Sequence, residues 1–191
     1  VIWAKAVEAG IWLRPSQRPA SLLRQLHAAP WHEPYTLAAC KALRDAYPII
    51  RAEALALLAA DGNAPGSSLA TTVFQPYSSK ALDCGEWADV GLFFNAALNA
   101  LATQRAPKTT ALLRSSTGGI ARDAVSCPLG SAYFSLLRPH TSLKAHCGPT
   151  NARLRAHLGL VVPTADEAQC GIRCGDPPPR AWNEGEVLLF D

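Results

Sequence analysis

Hydrophobic positions fall into two textures along the chain. Over residues 36–46 and 49–60, alanine and leucine recur at helical spacing, broken only at Tyr47-Pro48. This pattern predicts two helices. Thr36 is the expected N-cap of the first. Pro48 falls in the first turn of the second, where its missing N–H costs little. Residues 21–29 form a shorter amphipathic stretch that Ser21 is placed to cap. The run Asp61-Gly62-Asn63-Ala64-Pro65-Gly66 ends the helical block. Residues 92–104 read as one more helix, stopped by Pro107. From about residue 111 the spacing shortens. Gly118-Gly119 and Pro128-Leu129-Gly130 mark turns. Short apolar or alternating segments follow at 131–137, 152–162, 171–174 and 186–191. Short strands between turns predict an antiparallel barrel or jelly roll. The expected class is α+β in a single domain, 1–191. Its 1–105 part is mostly helical, and a mainly β core occupies 106–191.

The strictest alternation lies at 152–160. As a strand, this segment carries Arg153, Arg155, His157 and Gly159 on one face and Leu154, Ala156, Leu158 and Leu160 on the other. The leucine face is expected in the core. The Arg/His face is either a solvated outer surface or a place where something anionic binds, because uncompensated burial of charge is costly. Neighbours two positions apart on such a face lie ~7 Å from one another. An arginine there offers a bidentate fork, so the pair can bracket the carboxylates of a small diacid. Upstream, His146 sits in the tight loop His146-Cys147-Gly148-Pro149-Thr150-Asn151. Histidine is the commonest metal-ligating side chain, yet a lone loop histidine is ordinarily a surface group. The common iron triad also places a carboxylate where this chain has Gly148.

Bulk properties narrow the classes. With 191 residues, 49% hydrophobic and 17% charged, the chain is long and apolar enough for a real core. A net charge of +3 is too small to argue for nucleic acid or a membrane surface. No apolar run approaches the ~18 residues of a spanning helix, and the start has no signal-peptide pattern. The six cysteines make no CxxC knuckle. Cys170 and Cys174 would lie about 13 Å apart on a strand, too far to bridge. Most cysteines are expected to be reduced. The chain holds no methionine and ends on the apolar run Val187-Leu188-Leu189-Phe190 before Asp191. We expect a fragment cut at both ends, so silence about targeting says nothing.

One ordered string is specific. His146-Cys147-Gly148-Pro149-Thr150-Asn151 followed by Arg153-Leu154-Arg155-Ala156-His157-Leu158-Gly159-Leu160 resembles the aspartyl/asparaginyl β-hydroxylase family. Cys170-Gly171-Ile172-Arg173-Cys174, Trp182-Asn183-Glu184-Gly185 and Val187-Leu188-Leu189-Phe190-Asp191 match it as well. The resemblance is specific over 107–191 and diffuse before. It implies an iron(II)- and 2-oxoglutarate-dependent dioxygenase on a double-stranded β-helix, a jelly roll preceded by helices. It also implies that glycine is ordinary at Gly148, the iron being held by two histidines. On this resemblance His146 is the first iron ligand, and Ser135, Arg155 and His157 contact 2-oxoglutarate. O2 is the co-reactant. The substrate is an Asp or Asn side chain of a protein, typically in an EGF-like domain, hydroxylated at its β-carbon. The family's second iron histidine and an arginine for the cosubstrate come shortly after Phe-Asp, where this chain ends. The parent is therefore expected to be an enzyme, and these 191 residues to bind iron weakly. Two alternatives stand beside this: a lipid A acyl-chain hydroxylase-like enzyme, and a non-catalytic β-helix binding module with a degenerate metal site. An animal-type member would work in the endoplasmic reticulum lumen, a bacterial one in the cytoplasm.

Overall fold

The helical spacing of residues 36–60 and the alternation of 131–137 both become elements of the computed structural model. It describes residues 2–12, 14–26, 29–62, 73–77, 80–95, 97–114, 130–163 and 170–191. In chain order these are α1 (Ile2–Glu8), β1 (Trp31–His32), α2 (Ala38–Asp45), α3 (Tyr47–Gly62), β2 (Gln75–Pro76), β3 (Leu82–Cys84), β4 (Trp87–Phe94) and β5 (Ala97–Leu98). Then come α4 (Ala100–Arg105), α5 (Pro107–Arg114), β6 (Ser131–Leu137), β7 (Ser142–Leu143), β8 (Arg155–Leu158), β9 (Gly171–Ile172), β10 (Arg180–Ala181) and β11 (Val187–Phe190). The chain is a mixed α+β protein. Its described strands form a four-stranded, a three-stranded and two two-stranded sheets, and close no barrel among the described residues. The turns expected at Gly118-Gly119 and Pro128-Leu129, and most of the 61–66 breaker, lie outside the described residues.

Two compact units result, Val1–Pro34 with Ala145–Asp191, and Tyr35–Lys144. In the second unit, β4 pairs antiparallel with β6 along its length, from Trp87 opposite Leu137 to Phe94 opposite Ser131. Both β2 and β5 pair with the other edge of β4, at Ala88–Asp89 and Phe93–Phe94 respectively. The buried side chains Val90, Leu92, Phe93 and Phe134 come from this sheet. Helix α3 buries Ile50, Ala54 and Leu57, spaced along one face.

Sequence spacing missed three local decisions. Residues 92–104 are not one helix: β4 and β5 take Leu92–Phe94 and Ala97–Leu98, and α4 begins only at Ala100. Asn95 turns the chain at φ 49°, and the Asn99 Oδ1 accepts the Leu101 N–H at 3.1 Å, capping α4. Thr36 caps nothing. It ends a 3-10 turn, and the N-cap of α2 is Leu37, without a side-chain bond. Residues 21–26 form no helix, because Ser21 pairs in parallel with Thr150 and the Ser21 N–H donates to the Pro149 carbonyl at 2.9 Å.

Helix α5 is capped from a distance. The Glu53 carboxylate of α3 accepts the Lys108 N–H at 2.9 Å and the Thr109 N–H at 2.8 Å, satisfying two donors of its first turn. Glu53→Ala is expected to lower stability by about 1–2 kcal/mol, with Glu53→Gln intermediate. Urea unfolding followed by circular dichroism measures it, and equal midpoints for all three proteins would refute the cap.

Candidate functional site

Strand β8 sits at one edge of the sheet β1-β11-β8. Phe190 lies opposite Arg155, Leu188 opposite His157, and Trp31 opposite Phe190. Directly opposed residues share a face, so Trp31, Phe190, Arg155 and His157 line one side. The His157 ring meets Phe190 edge-on at 4.8 Å and lies 6.1 Å from Trp182, nearly parallel to it. Trp31 packs on Phe190 at 5.8 Å, and the Arg180 guanidinium covers Trp31 at 4.6 Å. The expectation that the leucine face is the core one holds only in part. Leu154 is 43% exposed and Ala156 is exposed, whereas Arg155 and His157 are half-buried. Aromatic rings cover the Arg/His face, while on the other face Leu158 and Leu160 are half-buried beside the buried Val187 and Leu189 of β11.

This packing sets the charge pattern. Burial first, and the Arg155 charge second, push His157 down from its ordinary 6.5 to about 4. At neutral pH the imidazole is uncharged, with one donor and one acceptor nitrogen, and Arg155 carries the positive charge. A neutral donor beside a guanidinium suits a carboxylate.

Two glycines let Trp182 reach His157. A Cβ on Gly159 would collide with the Asn183 carbonyl. Gly185 adopts φ 78°, a region L side chains rarely enter. The Gly185 N–H donates to the Gly159 carbonyl at 2.9 Å, and the Gly159 N–H to the Glu186 carbonyl at 3.1 Å. The turn carrying Trp182 is thereby held against the end of β8.

His146 is exposed, and the loop that carries it is anchored by its neighbours. Cys147 Sγ accepts the Arg18 N–H at 3.2 Å and donates to the Ser16 carbonyl at 3.4 Å. The buried Asn151 amide exchanges bonds with the Leu23 backbone, at 2.8 Å to its Oδ1 and 2.9 Å from its Nδ2. Asn151 thus pins the loop, a role that the sequence shows only as a motif letter.

Ser135 belongs to the other unit, on β6. It is exposed, lies opposite Asp89, and accepts the Trp87 indole N–H at 2.9 Å. That bond uses a lone pair and leaves the hydroxyl proton to donate.

An iron centre needs several converging donors. No group of three or more His, Cys, Asp or Glu side chains converges among the described residues. His146 supplies one imidazole and Gly148 none, so the described donors fall short of an iron site. Cys40, Cys84, Cys147, Cys170 and Cys174 are free thiols; Cys127 lies outside the described residues. No helix among the described residues is long and apolar enough to cross a membrane.

Comparison with known proteins places this chain in a family. A sequence model described as Aspartyl/Asparaginyl beta-hydroxylase matches residues 44–191. The chain is 34% identical over 187 residues to the "Aspartyl/asparaginyl beta-hydroxylase" of Mus musculus and 33% identical over 187 residues to that of Homo sapiens. Each alignment covers 96% of this chain and 22% of the relative. "Aspartate beta-hydroxylase domain-containing protein 1" of Mus musculus is 48% identical over 62 residues, 32% of this chain and 16% of that protein. The chain belongs to the aspartyl/asparaginyl β-hydroxylase family. It spans about a fifth of the length of the first two relatives.

Because folding lowers the His157 pKa, the unfolded chain binds more protons than the folded one between about 6.5 and about 4. The His157 contribution to stability therefore falls as pH drops through that window and is constant above it. His157→Gln is expected to lose that part of the pH dependence of the urea midpoint. Parallel midpoint-versus-pH curves for the two proteins would contradict a neutral, packed imidazole.

Proposed function

We propose that this chain is the catalytic-type part of an iron(II)- and 2-oxoglutarate-dependent dioxygenase. It would hydroxylate the β-carbon of Asp or Asn side chains in protein substrates, EGF-like domains among them. The observation that carries the reading is the paired Arg155 and His157 on β8, a guanidinium beside a neutral imidazole under an aromatic cover. Family membership supports it, as do the relatives' names, which say aspartyl/asparaginyl β-hydroxylase. Under this proposal the fold class is a double-stranded β-helix preceded by helices. Arg155 binds a 2-oxoglutarate carboxylate through its fork, and His157 donates a hydrogen bond to the same molecule. Phe190 and Trp182 keep water from that face and so strengthen each of these bonds. His146 is proposed as one iron ligand, with the remaining donors supplied from outside the described residues. Metal and cosubstrate bring the oxidising power, while the protein binds and orients. Compartment follows from the type of member, the endoplasmic reticulum lumen for an animal-type protein or the cytoplasm for a bacterial one.

A second reading is a binding module that does no chemistry. Succinate release from 2-oxoglutarate separates the two. The enzyme reading expects release that requires iron(II) and an Asp- or Asn-bearing peptide. On that reading His146→Ala abolishes release, and unchanged turnover would remove His146 from the site. Arg155→Ala is expected to raise the KM for 2-oxoglutarate roughly 10–100-fold, the value of a charge-assisted bond. No release under any iron condition would favour the binding module.

A further inference from the structure

The second unit carries a carboxylate that nothing assigned so far uses. Asp89 lies mid-strand on β4, with Ser135 of β6 opposite on one side and Gln75 of β2 opposite on the other. It sits between two aromatic pairs on its own sheet face. Toward the N-terminal end of β4, Trp87 stacks on Tyr77 with ring centroids 4.0 Å apart. Toward the other end, Phe94 stacks on Tyr133 at 5.9 Å, with the planes 5° apart. Tyr77 and Tyr133 then approach one another at 6.5 Å across the strand pair. Gly91 makes room for this: a Cβ there would press on the Phe94 ring at 3.1 Å.

Beside the same residues the edge of β4 is notched. Because β2 and β5 pair with different stretches of that edge, Val90 and Gly91 face a gap between them. The gap is part of a cavity of ≈ 380 Å³ whose lining includes Asp89, Gln75, Phe94 and Asn99. Phe94, at the rim, is 47% exposed.

Asp89 is half-buried, and no salt bridge or hydrogen bond meets its carboxylate among the described residues. Burial alone pushes its pKa above the ordinary carboxylate range. A cation would reverse that penalty. Ring faces attract cations within ~6 Å of the centroid, so carboxylate and rings favour the same ligand. Near-parallel rings suit a planar cation, and arginine is the planar one. This protein already pairs arginine with its rings elsewhere: Arg18 covers Trp3, Arg44 covers Tyr35, and Arg180 covers Trp31.

We infer that the Asp89 face of β4 and β6 is a binding site for the guanidinium of an arginine side chain in a peptide. The guanidinium donates to the Asp89 carboxylate and lies against the exposed Phe94 ring at the end of the aromatic stack, and the peptide backbone runs over the notch. The cation site stands on the side chains named. The choice of a peptide as its source rests on the hydroxylase reading.

Isothermal titration of the full 191-residue chain, without iron or 2-oxoglutarate, tests this. The probe is acetyl-Gly-Arg-Gly-amide, compared with the same peptide carrying citrulline, which keeps the shape and removes the charge. The arginine peptide is expected to bind at least about tenfold more tightly than the citrulline one, the value of a charge-assisted hydrogen bond. Asp89→Asn, nearly isosteric, is expected to abolish that preference while its circular dichroism spectrum and melting temperature stay near wild type. If it misfolds, Phe94→Leu at the exposed rim replaces it and is expected to weaken arginine-peptide binding severalfold. Equal binding of the two peptides, or an unchanged preference in the folded variant, would overturn the site. Free arginine amide binding as well as the peptide would overturn the peptide source. Because the titration involves no turnover, its failure leaves the hydroxylase reading untouched, and failed turnover leaves this site standing.

Discussion

Pairing of β8 with β11 is the constraint on which the Arg155–His157 site depends. Register decides everything there: Phe190 opposite Arg155 and Leu188 opposite His157 put the aromatic ring and the two nitrogen bases on one face. A slip of one residue would turn Arg155 and His157 to the other side of the sheet. It would also remove Phe190 from His157. Val187, Leu189 and Phe190 of β11 are all buried, which holds that strand in place beside β8. Hydrophobic burial on one strand therefore orients the polar chemistry on its neighbour.

The covering of that face depends on backbone rather than side-chain chemistry. Trp182 reaches His157 because Gly159 and Gly185 let two segments approach more closely than side chains would allow. Asn151 and Cys147 hold the preceding loop against residues 16–23 in the same unit. The consequence is a histidine that stays neutral at physiological pH, next to an arginine that cannot. Such a pair distinguishes an anionic ligand by charge through one group and by hydrogen-bond direction through the other. In the other unit the polarity is opposite, with Asp89 among aromatic rings. The two units thus carry half-buried groups of opposite charge, Arg155 in one and Asp89 in the other.

Much of this was legible in the residues, and the exceptions have physical causes. The alternation at 152–160 identified β8 and the shared face of Arg155 and His157, because a period of two is local information. It did not show that the Arg/His face is covered as well, because leucine against arginine and histidine is a guide only when no aromatic neighbour from a distant segment covers the polar side. Trp31, Trp182 and Phe190 do so here. Helices α2 and α3 followed from spacing, whereas residues 92–104 did not. Their apolar positions satisfy either period, and the deciding features were Asn95 in a left-handed turn and Asn99 as a cap. The motif string led to the family, but spacing gave no means of telling that Asn151 binds the Leu23 backbone and pins the loop. Asp89 was invisible in the sequence, since only pairing with β2 and β6 surrounds it with Gln75, Ser135 and the aromatic rings.

The most direct test of the β8 site is histidine ring NMR of the isotope-labelled chain during addition of 2-oxoglutarate. Binding at Arg155 and His157 is expected to shift the His157 ring resonances in a saturable way and to leave those of His140, in the other unit, unmoved. Succinate, which lacks the keto group but keeps both carboxylates, is expected to shift the same resonances. A titration in which His157 does not move at saturating 2-oxoglutarate would contradict the assignment of this face to an anionic ligand.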